Sequence, residues 1–426
     1  MTKDFQQHFC PSPWFHMQIQ PTGEFGVCRW NHHGSGVTIR DQHPIEFFQR
    51  GMSGMRQDML QGQPRSECRE CLAMEAHHKV SGRQRQMIKA GIWPDDLGTS
   101  VRTSPFWPEF AHSADHDGTT TQWPQDWQIE MGNYCNSACL FCRPDYSSRI
   151  AAEQVKLGMI TSVPRSWSDD PDLVTRLVDT LAKSPSLGYL HFIGGETLIM
   201  PAFAQILEAL LASGHAETHL GFTTNLTVWP RPVIALLQQF RNVHVNVSIE
   251  SLTRLNDYVR WPGDLRVIRQ NLQQWQDLAA QQQWWMTIRV TPTLLTVHDL
   301  VDMYEYAWQQ GLAIEACNFL ERPEFMRPTV LPQPIRHAVA DQLENWCDTH
   351  HIQHHTRIYN TRHPGFLEQH LVEDALSYCA YLRDQPDESH RIGDLAQYLR
   401  RIDQHRGNSV LDYLPQYADL FRAAGY

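Results

Sequence analysis

The sequence predicts an α/β protein: a partial (β/α)6 barrel with a small cysteine-rich N-terminal domain and a mainly helical C-terminal extension. Three observations carry this. Strand-like runs alternate with helical patterns six times between residues 127 and 325, an order that builds a parallel sheet with right-handed crossovers. Seven of the ten cysteines fall in two sets, Cys10, Cys28, Cys68, Cys71 and Cys135, Cys139, Cys142. Beyond Pro328, Pro332 and Pro334 the strand pattern gives way to helical spacing.

The elements follow in order. Strands are expected at Trp127–Met131, Gly188–Ile193, His219–Thr223, Val243–Ile249, Met286–Val290 and Ala313–Phe319. Between them, Leu173, Leu177, Val178 and Leu181 keep helical spacing, as do Ile206, Leu207, Leu210 and Leu211. Asp299–Gln310 is a further helix, closed by Gly311 as its C-cap. Six such units suit a partial barrel better than a closed eight-stranded one. The domains are then 1–95, cysteine-rich; 96–126, a polar linker or irregular cover; 127–325, the barrel; and 326–426, the helical extension.

Composition narrows the partners. A 426-residue chain with 42% hydrophobic and 19% charged residues has the makings of two to three globular domains. The net charge of −11 argues against nucleic acid or an anionic membrane as the main partner. The N-terminal residues lack an apolar h-region, and no apolar run approaches the roughly 18 residues of a membrane span. A cytoplasmic location is expected, where close-set cysteines mean metal or redox chemistry rather than disulfides.

Cys135-Asn-Ser-Ala-Cys139-Leu-Phe-Cys142 follows the first barrel strand. Three thiolates at this spacing can hold three irons of a 4Fe–4S cluster and leave the fourth open to an external ligand; a zinc knuckle is the plainer alternative. Ligands of parallel α/β sheets sit at the C-terminal strand ends, and unusual residues gather there. Gly194-Gly195-Glu196 follows the second strand: glycines admit close approach, and a carboxylate accepts from an ammonium group. Thr224 and Asn225 follow the third, suited to hydroxyls. Ser248 and Glu250 end the fourth, and Arg260 could take a carboxylate by a bidentate fork. Each alone has a bland reading as a turn, a helix cap or a surface charge. Together they outline an amino acid joined to a nucleoside.

Cys135-x3-Cys139-x2-Cys142 with Phe141, followed by Gly194-Gly195-Glu196, resembles the radical S-adenosylmethionine (SAM) superfamily. The resemblance implies that SAM chelates the open iron. Gly194, Gly195 and Glu196 would then hold its amino group, Ser248 and Arg260 would lie near its carboxylate, Thr224 and Asn225 near its ribose, and Phe141 beside adenine. Val290-Thr-Pro-Thr-Leu294 would line the adenine side.

Cys10-x12-Gly23-x4-Cys28, followed by Cys68-x2-Cys71, is the second constellation. Gly23 before Glu24–Val27 suggests a hairpin returning Cys28 toward Cys10. Four thiolates so placed could hold zinc or a second iron–sulfur cluster. The pattern resembles the SPASM/twitch auxiliary-cluster domains of radical SAM enzymes, here placed before the barrel, and no C-x5-C-x3-C continuation follows Cys71. The resemblance implies one auxiliary 4Fe–4S cluster, with zinc the runner-up. It further implies hydrogen abstraction from a peptide, an amino-acid side chain or a small metabolite, and an electron donor such as flavodoxin or ferredoxin. A non-enzymatic zinc protein is the competing class. Cys317, Cys347 and Cys379 read as buried packing residues, with Cys317, at a strand end, the one to test as a hydrogen donor or cluster ligand; the paired histidines read as surface residues and Trp284–Trp285 as packing. Glu250, Asp257 and Tyr258 cannot be ranked as acid or base without geometry.

Overall fold

A computed structural model describes residues 5, 8–28, 34–76, 81–316, 319–350 and 366–426. The chain divides into two compact units, one of Met1–Asn133, Arg165–Phe222 and Arg231–Val243, the other of Tyr134–Pro164, Thr223–Pro230 and His244–Tyr426. The fold is α/β with an eight-stranded, mostly parallel sheet. Its strands are β1 (His16–Ile19), β2 (Phe25–Gly26), β3 (Asp126–Glu130), β4 (Tyr189–Ile193), β5 (His219–Thr224), β6 (Val243–Ser248), β7 (Trp285–Arg289) and β8 (Ala313–Glu315). Among the described residues no helix is long and apolar enough to cross a membrane.

In the first unit the order is β2-β1-β3-β4-β5. Gly23, at φ +89°, turns the expected hairpin, and β1 and β2 pair antiparallel. The first strand also pairs in parallel with β3, His16 opposite Asp126 and Ile19 opposite Ile129. The N-terminal segment therefore extends the sheet instead of standing apart from it. Side chains alternate across the strands. One face carries Met17, Ile19, Trp127, Ile129, Leu190 and Phe192; the other carries His16, Gln18, Asp126, Gln128, Glu130 and His191, and both faces are buried. On the polar face the amides of Gln18 and Gln128 both donate to Glu130. His16 lies 3.3 Å from Asp126, which Lys89 also reaches at 3.2 Å.

The stretch 96–126, expected to be a linker, contains the helices Leu97–Thr103 and Trp107–Asp115. Their apolar residues explain the difference: Val101 and Phe110 join Phe9, Trp14 and Phe15 in one buried cluster. Phe110 meets Phe9 and Trp14 edge-on, at centroid distances of 5.4 and 4.9 Å. Arg56, fully buried, ties this region together by donating to the carbonyls of Pro13 (3.0 Å), Gln49 (3.2 Å), Gly118 (3.1 Å) and Phe48.

In the second unit β6, β7 and β8 pair in parallel. The strand expected to reach Phe319 ends at Glu315, and the Ala316 amide donates instead to Asp374 at 2.9 Å. Helix Leu300–Gln310 closes on Gly311 at φ +64°, as its sequence suggests. The extension is helical, with Gln333–Thr349, Phe366–Asp384, Ile392–Arg406 and Ala418–Ala423. Cys347 and Cys379 are buried in the first two of these. Cys317, His32–His33, His77–His78, His351 and His354-His355 lie outside the described residues.

Candidate functional site

The cysteine loop is held mainly by backbone. The Ala138 and Leu140 amides donate to the carbonyls of Trp261 (2.6 Å) and Val259 (2.8 Å), and the Cys142 amide to Cys139 (3.0 Å). Ser147 caps the helix Ser148–Lys156, and its hydroxyl donates to the Ser137 carbonyl at 2.6 Å. Asn225 adds a side-chain tie: its Nδ2 donates to Asn136 Oδ1 (2.9 Å) and Ser137 Oγ (3.0 Å). Its Oδ1 accepts from the Thr227 amide and hydroxyl. Thr224 Oγ1 accepts from the Leu226 amide at 3.2 Å. The pair expected near ribose thus first shapes the turn after β5 and the cysteine loop.

The three thiols lie close enough to influence one another. Burial pushes Cys142 well above the usual thiol range, and Cys139 and Cys135 push it further. Burial raises Cys139 as well, while Arg260 pulls both thiols back down. The Arg260 Nη1 sits 3.8 Å from Cys139 Sγ, and its Cζ lies 5.4 Å from the centre of the Phe141 ring. Arg260 Nε is buried with no hydrogen-bond acceptor among the described residues. A buried cation with a donor to spare, next to three thiols, fits an anionic metal–thiolate group.

Arg260 is also committed elsewhere: its Nη2 forms a buried ion pair with Glu250. Glu250 Oε2 accepts from the Thr291 amide at 2.7 Å, at the start of the segment expected beside adenine. Burial raises Glu250, countered by the Arg260 charge and hydrogen bond and by the Thr291 amide. An arginine expected to meet a ligand carboxylate thus holds one of the chain's own, a pairing that sequence spacing did not suggest. Ser248 ends β6 opposite Arg289 of β7. Asp257 is raised by burial, and the Tyr258 hydroxyl donates to Asp403 at 3.0 Å.

Sequence reading missed the contribution of the C-terminal helix Ile392–Arg406. The Tyr398 hydroxyl donates to the Leu140 carbonyl, and Arg406 Nη2 to the Ala138 carbonyl at 2.7 Å. Arg406 also pairs with Glu153, through Nε at 2.8 Å and Nη2 at 2.6 Å. Partners more than 240 residues apart leave no periodic signal.

In the first unit, Gly194 and Gly195 both have positive φ, +87° and +58°. A Cβ on Gly194 would come within 2.8 Å of the Gly132 carbonyl, so close approach after β3 requires glycine there. Glu196 is buried, and its Oε1 accepts from the Leu198 amide at 3.2 Å.

Cys10, Cys28, Cys68 and Cys71 line one cavity of the same unit. Burial pushes Cys10 well above the usual range, and the other three thiols push it further. Cys68 is pushed to about 11 by burial, then by Cys71 and Glu67. Among the described residues no three His, Cys, Asp or Glu side chains converge on a single metal ion.

Residues 129–307 match the model of the radical SAM superfamily. Among solved structures, the chain is similar to Streptococcus suis SuiB, at 11% identity and a TM-score of 0.39, over 69% of this chain and 62% of that one. The same protein bound to S-adenosylmethionine matches at 10% identity and a TM-score of 0.36, over 57% and 50%. Native anSMEcpe with bound AdoMet matches at 14% identity and a TM-score of 0.38, over 52% and 59%. The chain spans 50% to 62% of the length of these structures. No curated protein sequence matches it.

Proposed function

We propose that the chain is an enzyme that cleaves SAM reductively and abstracts hydrogen from a C–H bond of a peptide or amino-acid side chain. The observation that carries the reading is the cysteine loop itself: three mutually close thiols, backbone-locked, with the buried Arg260 cation 3.8 Å from Cys139 Sγ. When bound, a 4Fe–4S cluster and SAM supply a 5′-deoxyadenosyl radical; the protein supplies orientation and a dry site.

Cys135, Cys139 and Cys142 would hold the 4Fe–4S cluster, with an open site for SAM. Gly194, Gly195 and Glu196 take the amino group, Ser248 lies toward the carboxylate, Thr224 and Asn225 toward the ribose, and Phe141 toward adenine. Arg260, already bonded to Glu250, acts through Cys139 by favouring its thiolate. Cys10, Cys28, Cys68 and Cys71 hold an auxiliary 4Fe–4S cluster. Their shared cavity supports this. The peptide class rests on the likeness of this second cysteine set to SPASM/twitch domains. A cytoplasmic flavodoxin or ferredoxin supplies the electron.

Chain purified without oxygen is expected to hold about eight irons and to release 5′-deoxyadenosine from SAM on reduction. Stoichiometric zinc, no iron and no cleavage would overturn the reading. Cys135, Cys139 and Cys142 changed to Ala abolish cleavage; the same change at Cys10, Cys28, Cys68 and Cys71 spares cleavage and removes substrate turnover. Deuterium transfer into 5′-deoxyadenosine from labelled candidates, starting with short peptides encoded beside the gene, identifies the substrate.

A further inference from the structure

The four N-terminal thiols share their cavity with a cation. Arg83 lines it, from the second residue of the helix Gly82–Lys89. Its side chain is only 9% exposed and is fixed from two directions. Nη1 donates to the carbonyl of Phe9, the neighbour of Cys10, at 2.9 Å. Nε donates to Glu75 Oε1 at 3.0 Å, and Nη2 to Glu75 Oε2.

Glu75 belongs to the helix Arg69–Ala76, which carries Cys71. It also accepts from the hydroxyl of Ser81, the residue that caps the Arg83 helix. The first amides of that helix, Gly82 and Arg83, donate toward Cys71. Arg83 is therefore tied to the flanks of two cysteines. Of the ion pair, the positive partner lines the cavity, beside Glu67 and Glu70, and the negative partner is bonded to it.

We propose that the Arg83–Glu75 pair sets the reduction potential of the cluster held by Cys10, Cys28, Cys68 and Cys71, an inference that rests on the iron–sulfur reading of that cavity. A 4Fe–4S cluster with four thiolate ligands is already negative, and one-electron reduction adds one further negative charge without forming or breaking a bond. A cation facing the cluster stabilises the reduced form and raises the potential; an anion opposes it. The two partners thus act with opposite signs. Neither residue needs to touch substrate, so both are positioning residues for charge.

The test uses the full chain with Cys135, Cys139 and Cys142 changed to Ala, loaded with iron and sulfide without oxygen. Midpoint potentials are read by electron paramagnetic resonance during stepwise reduction with dithionite and mediators. Arg83→Gln is expected to lower the potential, Glu75→Gln to raise it and Arg83→Lys to leave it near the parent value, with iron content equal throughout. Equal potentials in all four proteins, or shifts of the same sign in Arg83→Gln and Glu75→Gln, overturn the proposal and leave the iron–sulfur reading standing. Should Arg83→Gln lose its iron, Glu75→Gln decides: a potential at or below the parent overturns the proposal. Zinc or no iron in the parent overturns the reading of the cavity, and the proposal with it.

Discussion

The hydroxyl of Tyr398 donates a 3.0 Å hydrogen bond to the carbonyl of Leu140, 258 residues earlier in the chain. With Arg406 on the Ala138 carbonyl and Glu153, it makes the helix Ile392–Arg406 a clamp on the cysteine loop.

The clamp predicts graded losses. Tyr398→Phe removes one hydrogen bond and costs about 1 kcal/mol. Arg406→Gln leaves Glu153, whose side chain is 8% exposed, without its arginine partner and costs about 3 kcal/mol. Urea unfolding of metal-free chain checks both values. In loaded chain, a chelator strips iron faster from Arg406→Gln than from the parent.

Asn225 donates to two acceptors of the cysteine loop, Asn136 Oδ1 and Ser137 Oγ. Asn225→Ala loses both bonds, and the two its Oδ1 accepts from Thr227, at about 1 kcal/mol each. Asn225→Asp is expected to be worse, because a charged acceptor then faces other acceptors. Rates of 5′-deoxyadenosine formation should rank parent, Ala, Asp.

The Arg260–Glu250 pair separates stability from chemistry. Arg260→Met strands a buried carboxylate and costs about 3 kcal/mol or more. Adding Glu250→Met removes the stranded charge, so the double variant should unfold at higher urea than Arg260→Met alone. It should still fail to cleave SAM, since the guanidinium 3.8 Å from Cys139 Sγ is gone.

Burial pushes His244 from its ordinary 6.5 down to about 4. The unfolded chain takes up this proton near pH 6.5, the folded chain only near 4. The unfolded state binds more protons in that window, so this stability is complete above pH 6.5 and is lost as pH falls toward 4. The loss amounts to about 3 kcal/mol. His244→Gln is expected to flatten the acid side of the stability–pH curve, measured as urea midpoints from pH 7 to 4.

The six strands β3 to β8 were legible because each carries apolar residues between loops of distinct composition. Five lie where the sequence placed them, within a residue or two, and β8 ends earlier. The strand β1 was not legible: it is four residues long, and His16 and Gln18 alternate with Met17 and Ile19. A buried parallel strand usually reads as an apolar run; here its polar side chains find partners on β3. The helices at Leu97–Thr103 and Trp107–Asp115 were hidden by Pro105, Pro108 and the surrounding polar residues. The cysteine loop was legible from spacing alone. Its supports were not, because Arg260, Tyr398 and Arg406 reach it through tertiary packing.

The pairing of β1 with β3 orders events during synthesis. His16 emerges from the ribosome 110 residues before Asp126, its partner in the register. Closing a loop of that length costs only logarithmically more than closing a short one, but the nascent N-terminal strand cannot dock until β3 exists. The hairpin that carries Cys28 waits with it. The N-terminal strand, first to be made, is thereby among the later ones to be paired on its parallel side.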